Sequence, residues 1–428
     1  MIVRRDVEDY LAEWHKRELP NLIERELWVN TRGNRAVGII GPRRAGKTYY
    51  FYQLMKSLAS KNNLYLNFED VRLMNITGLD ILKIIEIYTE LFGNIPNNIF
   101  LDEIQNVQGW ESCVRTLIDS EKYKIYLTGS SSKLLSREIA TQLRGRTDTY
   151  ILLPFSFREY IKIQKISYEE PLSPSERGIL KNHLREYMLW GGFPEVVMSK
   201  IGREKTLREY FDMILFRDFV ERHGIRNMGL ARYILTNFFQ NFSSEFSINK
   251  IYNKLRSMGI SVGKNTLYDY IDKLQDTVSV FFLRKYSKKV HLRESWPKKV
   301  YVCDVGLTKM VRDSDDLGKI MENIVFLEFL RNTNINPLLE IYYYKLPEGE
   351  VDFLLKEGEK IKKLIQVVYA SDLSEIREDE INNLLKASKD LQCRDLTVIT
   401  WDFKEDIRYG EKIIRFVPLY EFLLFRRF

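Results

Sequence analysis

The chain has 428 residues, of which 45% are hydrophobic and 13% aromatic, enough for more than one core and too much for bulk disorder. Its formal charge of +7 is compatible with a nucleic-acid partner without demanding one. Cys113, Cys303 and Cys393 form no pair or zinc-type spacing, the N-terminus lacks a signal peptide's apolar stretch, and no run is apolar enough to span a bilayer, so a cytoplasmic protein without a membrane partner is expected.

Four apolar runs, "AVGII" (36–40), "LYLNF" (64–68), "NIFLD" (98–102) and "KIYLTG" (124–129), alternate with helical patterns in the first half of the chain. Strands separated by helices argue for an α/β fold with a parallel sheet.

"GPRRAGKT" (41–48) follows the first run and opens a helical pattern. It has phosphate-loop spacing. Glycines let backbone N–H groups turn inward around phosphate oxygens, and the following helix aims its positive end at them. The expected ATP contacts are therefore Gly41, Pro42, Arg43, Arg44, Ala45, Gly46, Lys47 and Thr48. Lys47 would reach the β- and γ-phosphates, and Thr48 would complete a magnesium shell. Arg43 and Arg44 serve equally as phosphate contacts or as solvated loop residues.

"IFLDEIQ" delivers Asp102 to the C-terminal edge of a central strand, where ligands bind in such sheets. Asp102 is the expected second magnesium ligand, and Glu103 the residue that polarises the attacking water. In "IYLTGSSS", Thr128, Ser130 or Ser131 could hydrogen-bond that water or the γ-phosphate, or the serines could cap a helix. "QLRGRTDTY" offers Arg144 and Arg146, each either an arginine finger, in the same chain or across a subunit boundary, or part of a surface loop.

The motifs "GPRRAGKT", "IFLDEIQ", "LTGSSS", "LRGRTDTYILLPFSFREY" and "WGGFPE" together resemble the archaeal-type predicted ATPases of the AAA+ superfamily. Those proteins carry a winged helix and a C-terminal domain similar to restriction endonucleases. The resemblance spans nearly the whole chain, and "PFSFREY" followed by "WGGFPE" is its most particular part. It implies ATP binding, hydrolysis and the roles given to Asp102 and Glu103, and it extends to Ser130 as sensor and Arg146 as finger. The expected division is a P-loop core at 1–152, a helical lid at 153–225, a winged helix at 226–304 and a restriction-nuclease-like α/β domain at 305–428.

"SINKIYNKLRSMGISVGKNTLYDYIDKLQDT" reads as two helices around a glycine-bounded turn. Leu267, Ile271 and Leu274 recur at helical spacing, which leaves Lys264, Asn265, Thr266 and Tyr268 near the exposed start of the second helix, where a recognition helix touches DNA. A strand, basic loop and strand follow, with Arg284, Lys285, Lys288, Lys289, Arg293, Lys298 and Lys299 crowding the wing. Asp269 and Asp272 oppose phosphate binding, and protein docking is the alternative use of this module.

In the tail, a helix carrying Glu322, a hairpin carrying Asp352 and a strand carrying Gln366 follow the order of a restriction-nuclease core. Such sites need carboxylates for a metal and a lysine for the nucleophile. Val368 stands where the lysine belongs, and strand parity places none of Lys345, Lys362 or Lys363 in the site. A nuclease-like fold without nuclease activity is expected.

The leading expectation is a magnesium-dependent ATPase whose nucleotide state controls binding or remodelling of double-stranded DNA, with homo-oligomers as one possible form. The alternatives are a signal-sensing switch that assembles with proteins, and an ATP-regulated nuclease.

Overall fold

Strands β1 (Ala36–Ile40), β2 (Asn63–Asn67), β3 (Asn98–Asp102) and β4 (Lys124–Gly129) fall within one residue of the four apolar runs. β1 and β3 are buried at every position, which is why β1 and the centre of β3 read as apolar stretches. A fifth strand, β5 (Thr147–Ile151), is half-buried and threonine-rich, so its sequence carries a weaker apolar signal. The computed structural model describes residues 3–58, 62–129, 145–294, 297–312 and 316–425. They group into two compact units, Met1–Leu153 with Asp276–Val278, and Pro154–Gln275 with Ser279–Phe428. Among the described residues, no helix is long and apolar enough to cross a membrane.

In the first unit the sheet order is β2-β3-β4-β1-β5 and every pairing is parallel, the arrangement of a P-loop NTPase. Helix α1 (Arg4–Lys16) comes first, and α2 (Lys47–Ser57), α3 (Gly78–Phe92) and α4 (Trp110–Asp119) follow β1, β2 and β3. Helix α1 buries Val7, Tyr10 and Leu11 and sets Trp14 against Tyr65 of β2, with ring centroids 4.1 Å apart.

The second unit opens with helices α5 (Phe157–Ile163), α6 (Pro174–Trp190), α7 (Pro194–Met198), α8 (Arg203–Met213) and α9 (Met228–Gln240). A capping box between Ser156 and Glu159 starts α5. The motifs "PFSFREY" and "WGGFPE" meet here as a backbone junction. Phe155 N donates to Gly192 O at 2.8 Å, and Gly192 N donates to Asp304 Oδ2 at 2.7 Å. A Cβ on Gly191, at φ +75°, would lie 1.8 Å from Asp304 Oδ1, and one on Gly306 would lie 2.2 Å from Trp190 O. Only glycine permits this approach.

Next come β6 (Ser244–Phe246), α10 (Ile248–Ser257), α11 (Lys264–Asp276), β7 (Val280–Leu283), α12 (Val290–Glu294) and β8 (Lys298–Val302), with antiparallel sheet order β6-β8-β7. The expected loop between β7 and β8 is corrected in two ways. It contains α12, and its first residues are hydrogen-bonded to the tail: Tyr286 N donates to Tyr343 O at 2.7 Å and Tyr343 N to Arg284 O at 3.1 Å. Unpaired strand edges invite such addition.

The tail begins with α13 (Leu317–Thr333), buried without a break from Ile320 to Phe329, the polar Glu322, Asn323 and Glu328 included. A six-stranded mixed sheet follows. It is built from β9 (Leu339–Lys345), β10 (Glu350–Glu357), β11 (Lys360–Val368), β12 (Leu396–Thr400), β13 (Glu405–Tyr409) and β14 (Lys412–Pro418), in the order β13-β14-β12-β11-β10-β9. Helix α14 (Glu378–Leu391) precedes β12, and α15 (Leu419–Phe425) follows β14. Glu328 of α13 is buried and paired with Arg158 at 2.6 Å, which ties the "FREY" segment to the tail.

Candidate functional site

The loop from β1 to α2 is held by its neighbours rather than by a capping side chain. A Cβ on Gly41 would lie 2.0 Å from Leu152 O, so this glycine serves the approach of β1 to the segment after β5. Buried Arg25 donates to Ala45 O at 2.8 Å and Leu153 O at 2.6 Å. Arg44 and Gly46 take left-handed φ values of +64° and +97°. No side chain caps α2, so the first-turn N–H groups are left to a ligand. Gly41 and Pro42 are buried, Arg44 is exposed, and Arg43 pairs with Glu69 at 3.0 Å.

Lys47 is buried; its Nζ donates to Gly41 O at 3.2 Å and Pro42 O at 3.3 Å and lies 3.5 Å from Glu103 Oε1. Thr48 Oγ1 donates to Asp102 Oδ2 at 2.7 Å, and so does Tyr65 Oη at 2.6 Å. Thr128 Oγ1 donates to Asp102 Oδ1 and accepts from Glu103 N at 2.9 Å. Burial pushes the Asp102 carboxyl up, as does the Glu103 charge, while the hydroxyls of Thr128, Tyr65 and Thr48 pull it back. Glu103 has φ +53°, which turns the chain sharply after β3. Two acids and one cation thus face uncapped helix N–H groups. That set fits a magnesium–nucleotide complex, with Thr48 and Asp102 as the oxygen ligands. Tyr65 carries no motif signal, and sequence reasoning missed it.

Of the remaining expected catalytic residues, Ser130 lies outside the described residues, as do Ser131 and Arg144. Arg146 is corrected as a same-chain finger. Ala36 N donates to Arg146 O at 2.9 Å, which puts Arg146 at the N-terminal edge of the sheet, while the loop leaves β1 at its other end. Five residues of strand span roughly 16 Å, and the Arg146 guanidinium pairs with Asp119.

In the second unit, Lys264 and Asn265 are exposed at the start of α11, as are Lys288 and Lys289 beyond β7, and Arg293 is half-buried. Lys264 Nζ donates to Asn249 Oδ1 at 2.8 Å and sits over the Tyr252 ring. Leu267, Ile271 and Leu274 form the buried stripe of α11, and Asp269 is partly offset by Lys273 at 2.7 Å.

Glu322, Asp352 and Gln366 converge. Asp352 N donates to Gln366 Oε1 at 3.2 Å, and Val367 N to Asp352 Oδ2 at 3.0 Å. Among them stands Lys299 of β8. Its Nζ is 2.8 Å from Asp352 Oδ1 and 2.9 Å from Glu322 Oε1 and Glu350 Oε1. The expectation that Lys299 crowds an exposed wing is therefore corrected: only 1% of it is exposed. Burial works against the Lys299 charge, yet Asp352 and Glu322 outweigh it and hold its pKa well above the usual lysine value. Burial and the nearby Asp352 push the Glu322 carboxyl up, and the Lys299 ammonium pulls it back. Glu350 also escaped sequence reasoning. The available signal was a lysine inside a strand buried on both faces, a place lysine takes only when paired.

Comparison with known proteins adds the following. The model of a family described as "AAA domain" matches residues 33–161, and that of a domain of unknown function, DUF8612, matches 181–317. The uncharacterized protein MJ1544 of Methanocaldococcus jannaschii is 37% identical over 415 residues, 94% of this chain and 91% of its own. An uncharacterized protein of Haemophilus influenzae is 29% identical over 361 residues, 81% of this chain and 85% of its own. Among solved structures, AMPPCP-bound DnaA from Aquifex aeolicus is 14% identical with a TM-score of 0.24, over 64% of this chain and 89% of that one. At that TM-score the likeness adds nothing to the fold, which stands on the sheet order itself.

Proposed function

This chain belongs to the family of the Methanocaldococcus jannaschii protein MJ1544 and carries an AAA domain, and from that premise we propose that it is a magnesium-dependent ATPase whose nucleotide state controls binding to double-stranded DNA. The observation that carries the ATPase reading is the meeting of Thr48 with Asp102 at 2.7 Å and of Lys47 with Glu103 at 3.5 Å, below an uncapped helix. Two loop residues and two strand-end acids are what phosphoryl transfer to water requires.

In this reading the loop N–H groups of 41–48 and Lys47 bind the phosphates. Thr48 and Asp102 would hold the magnesium ion, which would supply positive charge beside the phosphate oxygens. Glu103 orients the attacking water and takes its proton at Oε1. Thr128 and Tyr65 fix the Asp102 carboxylate through their hydroxyls. Ser130 is the proposed sensor of the γ-phosphate. A finger role for Arg146 requires a neighbouring subunit, so this part of the proposal depends on a homo-oligomer.

DNA binding is assigned to 226–304, read as a winged helix. The order helix, strand, two helices and two strands, with the short α12 between the last two, supports that reading, as do exposed Lys264, Asn265, Lys288 and Lys289. ATP turnover measured with and without duplex DNA tests both halves. Stimulation by DNA at moderate salt supports the coupling; turnover indifferent to DNA, with no duplex retained, favours a protein-assembling switch.

A further inference from the structure

The tail holds the acids with which a restriction-type nuclease binds a divalent metal, but their centre is filled from outside the tail sheet. Lys299 Nζ stands within 2.8–2.9 Å of Asp352 Oδ1, Glu322 Oε1 and Glu350 Oε1. A lysine ammonium has three N–H donors, and three carboxylate oxygens use them all. Other atoms of the cluster are also engaged. Tyr301 Oη donates to Glu322 Oε1 at 2.6 Å, Val367 N to Asp352 Oδ2 at 3.0 Å, and Lys345 Nζ to Glu350 Oε2 at 3.1 Å. Gln366 brings no charge; it accepts from Asp352 N and donates to Glu380.

A magnesium-sized ion sits about 2.0–2.1 Å from its oxygen ligands. It could reach these three oxygens only by expelling the ammonium, which would then be a buried charge without its acids. Among the described residues, no group of three His, Cys, Asp or Glu side chains is set to hold a metal.

We propose that Lys299 is the built-in cation of this cluster: it takes the place of a divalent metal between Glu322, Glu350 and Asp352 and keeps the site closed to one. The same ammonium fastens β8 to α13 and β10, so the strand that ends the 226–304 module is pinned to the tail by charge. The inference is independent of the nucleotide site.

The test is Mn²⁺ titration of the full-length, nucleotide-free protein by calorimetry, with thermal unfolding alongside. Wild type and Asp352→Asn should give the same isotherm. Lys299→Met should take up Mn²⁺ about tenfold more tightly or better and gain thermal stability from it, and Lys299→Met with Asp352→Asn should lose both effects. Wild-type uptake that Asp352→Asn removes would overturn the proposal, and so would a Lys299→Met protein that binds no better than wild type. Metal-dependent plasmid nicking by the wild type, lost in both single variants, would instead make Lys299 part of an active nuclease. If Lys299→Met does not fold, the variant that also carries Glu322→Gln and Asp352→Asn should, because the cation leaves with two of its three acids and Glu350 keeps Lys345 at 3.1 Å. Insolubility of that variant as well would overturn the charge-balancing role.

Discussion

The phenol of Tyr65 donates to Asp102 Oδ2 at 2.6 Å, the same oxygen that accepts from Thr48 at 2.7 Å. Tyr65 in turn packs on Trp14 of α1, so the position of the proposed metal ligand is set by an aromatic contact from the first helix. That makes Tyr65 a positioning residue, acting through Asp102. Tyr65→Phe should leave ATP affinity near wild type and raise the magnesium concentration for half-maximal turnover by about tenfold. A variant with a lower Tm but unchanged magnesium dependence would reduce Tyr65 to packing.

Lys47→Ala should abolish tight ATP binding, because the loop then loses its buried cation for the phosphates. Glu103→Gln should keep binding and slow hydrolysis by about 10²–10⁴-fold, since an amide cannot accept the proton of water. Equilibrium binding beside single-turnover hydrolysis separates the two effects. Normal turnover in the Glu103 variant removes that residue from its role.

For the 226–304 module, replacing Lys288, Lys289 and Arg293 with alanine should weaken duplex binding. It should also lower the slope of log affinity against log salt by about 0.9 for each phosphate that is no longer neutralised. Arg293 is half-buried, so Lys288 and Lys289 should carry most of the change. An unchanged slope across a salt titration would point to protein docking instead.

Burial pushes the Asp304 carboxyl up to about 7, against the pull of the Gly192 and Gly306 N–H groups. Between about pH 4 and 7 the folded protein therefore holds a proton that the unfolded chain has released, and stability from this group is lost as pH rises through that window. Asparagine does not titrate. The destabilisation caused by Asp304→Asn should accordingly shrink from pH 5 to pH 7, by about 1.4 kcal/mol per unit at most. Urea denaturation of both proteins across that range reads the difference, and a constant gap would mean that Asp304 stays charged in the fold.

What could be read from the chain alone was whatever is encoded locally. The first four strands, the 41–48 loop and the acids at the end of β3 lie within short segments whose apolar runs and spacing reflect burial and phosphate geometry directly. The convergence of Glu322, Asp352 and Gln366 followed from element order, and these three side chains do lie together. Tertiary structure decided the rest. Strand direction put Arg146 at the sheet edge opposite the loop, a fact no motif around "RGRT" contains. Lys299 looked like one more basic residue of a wing, because the acids that bury it are 23, 51 and 53 positions further along the chain. A charge is solvated or paired according to what surrounds it in space, and for Lys299 and Tyr65 those surroundings come from distant segments that sequence spacing does not reach.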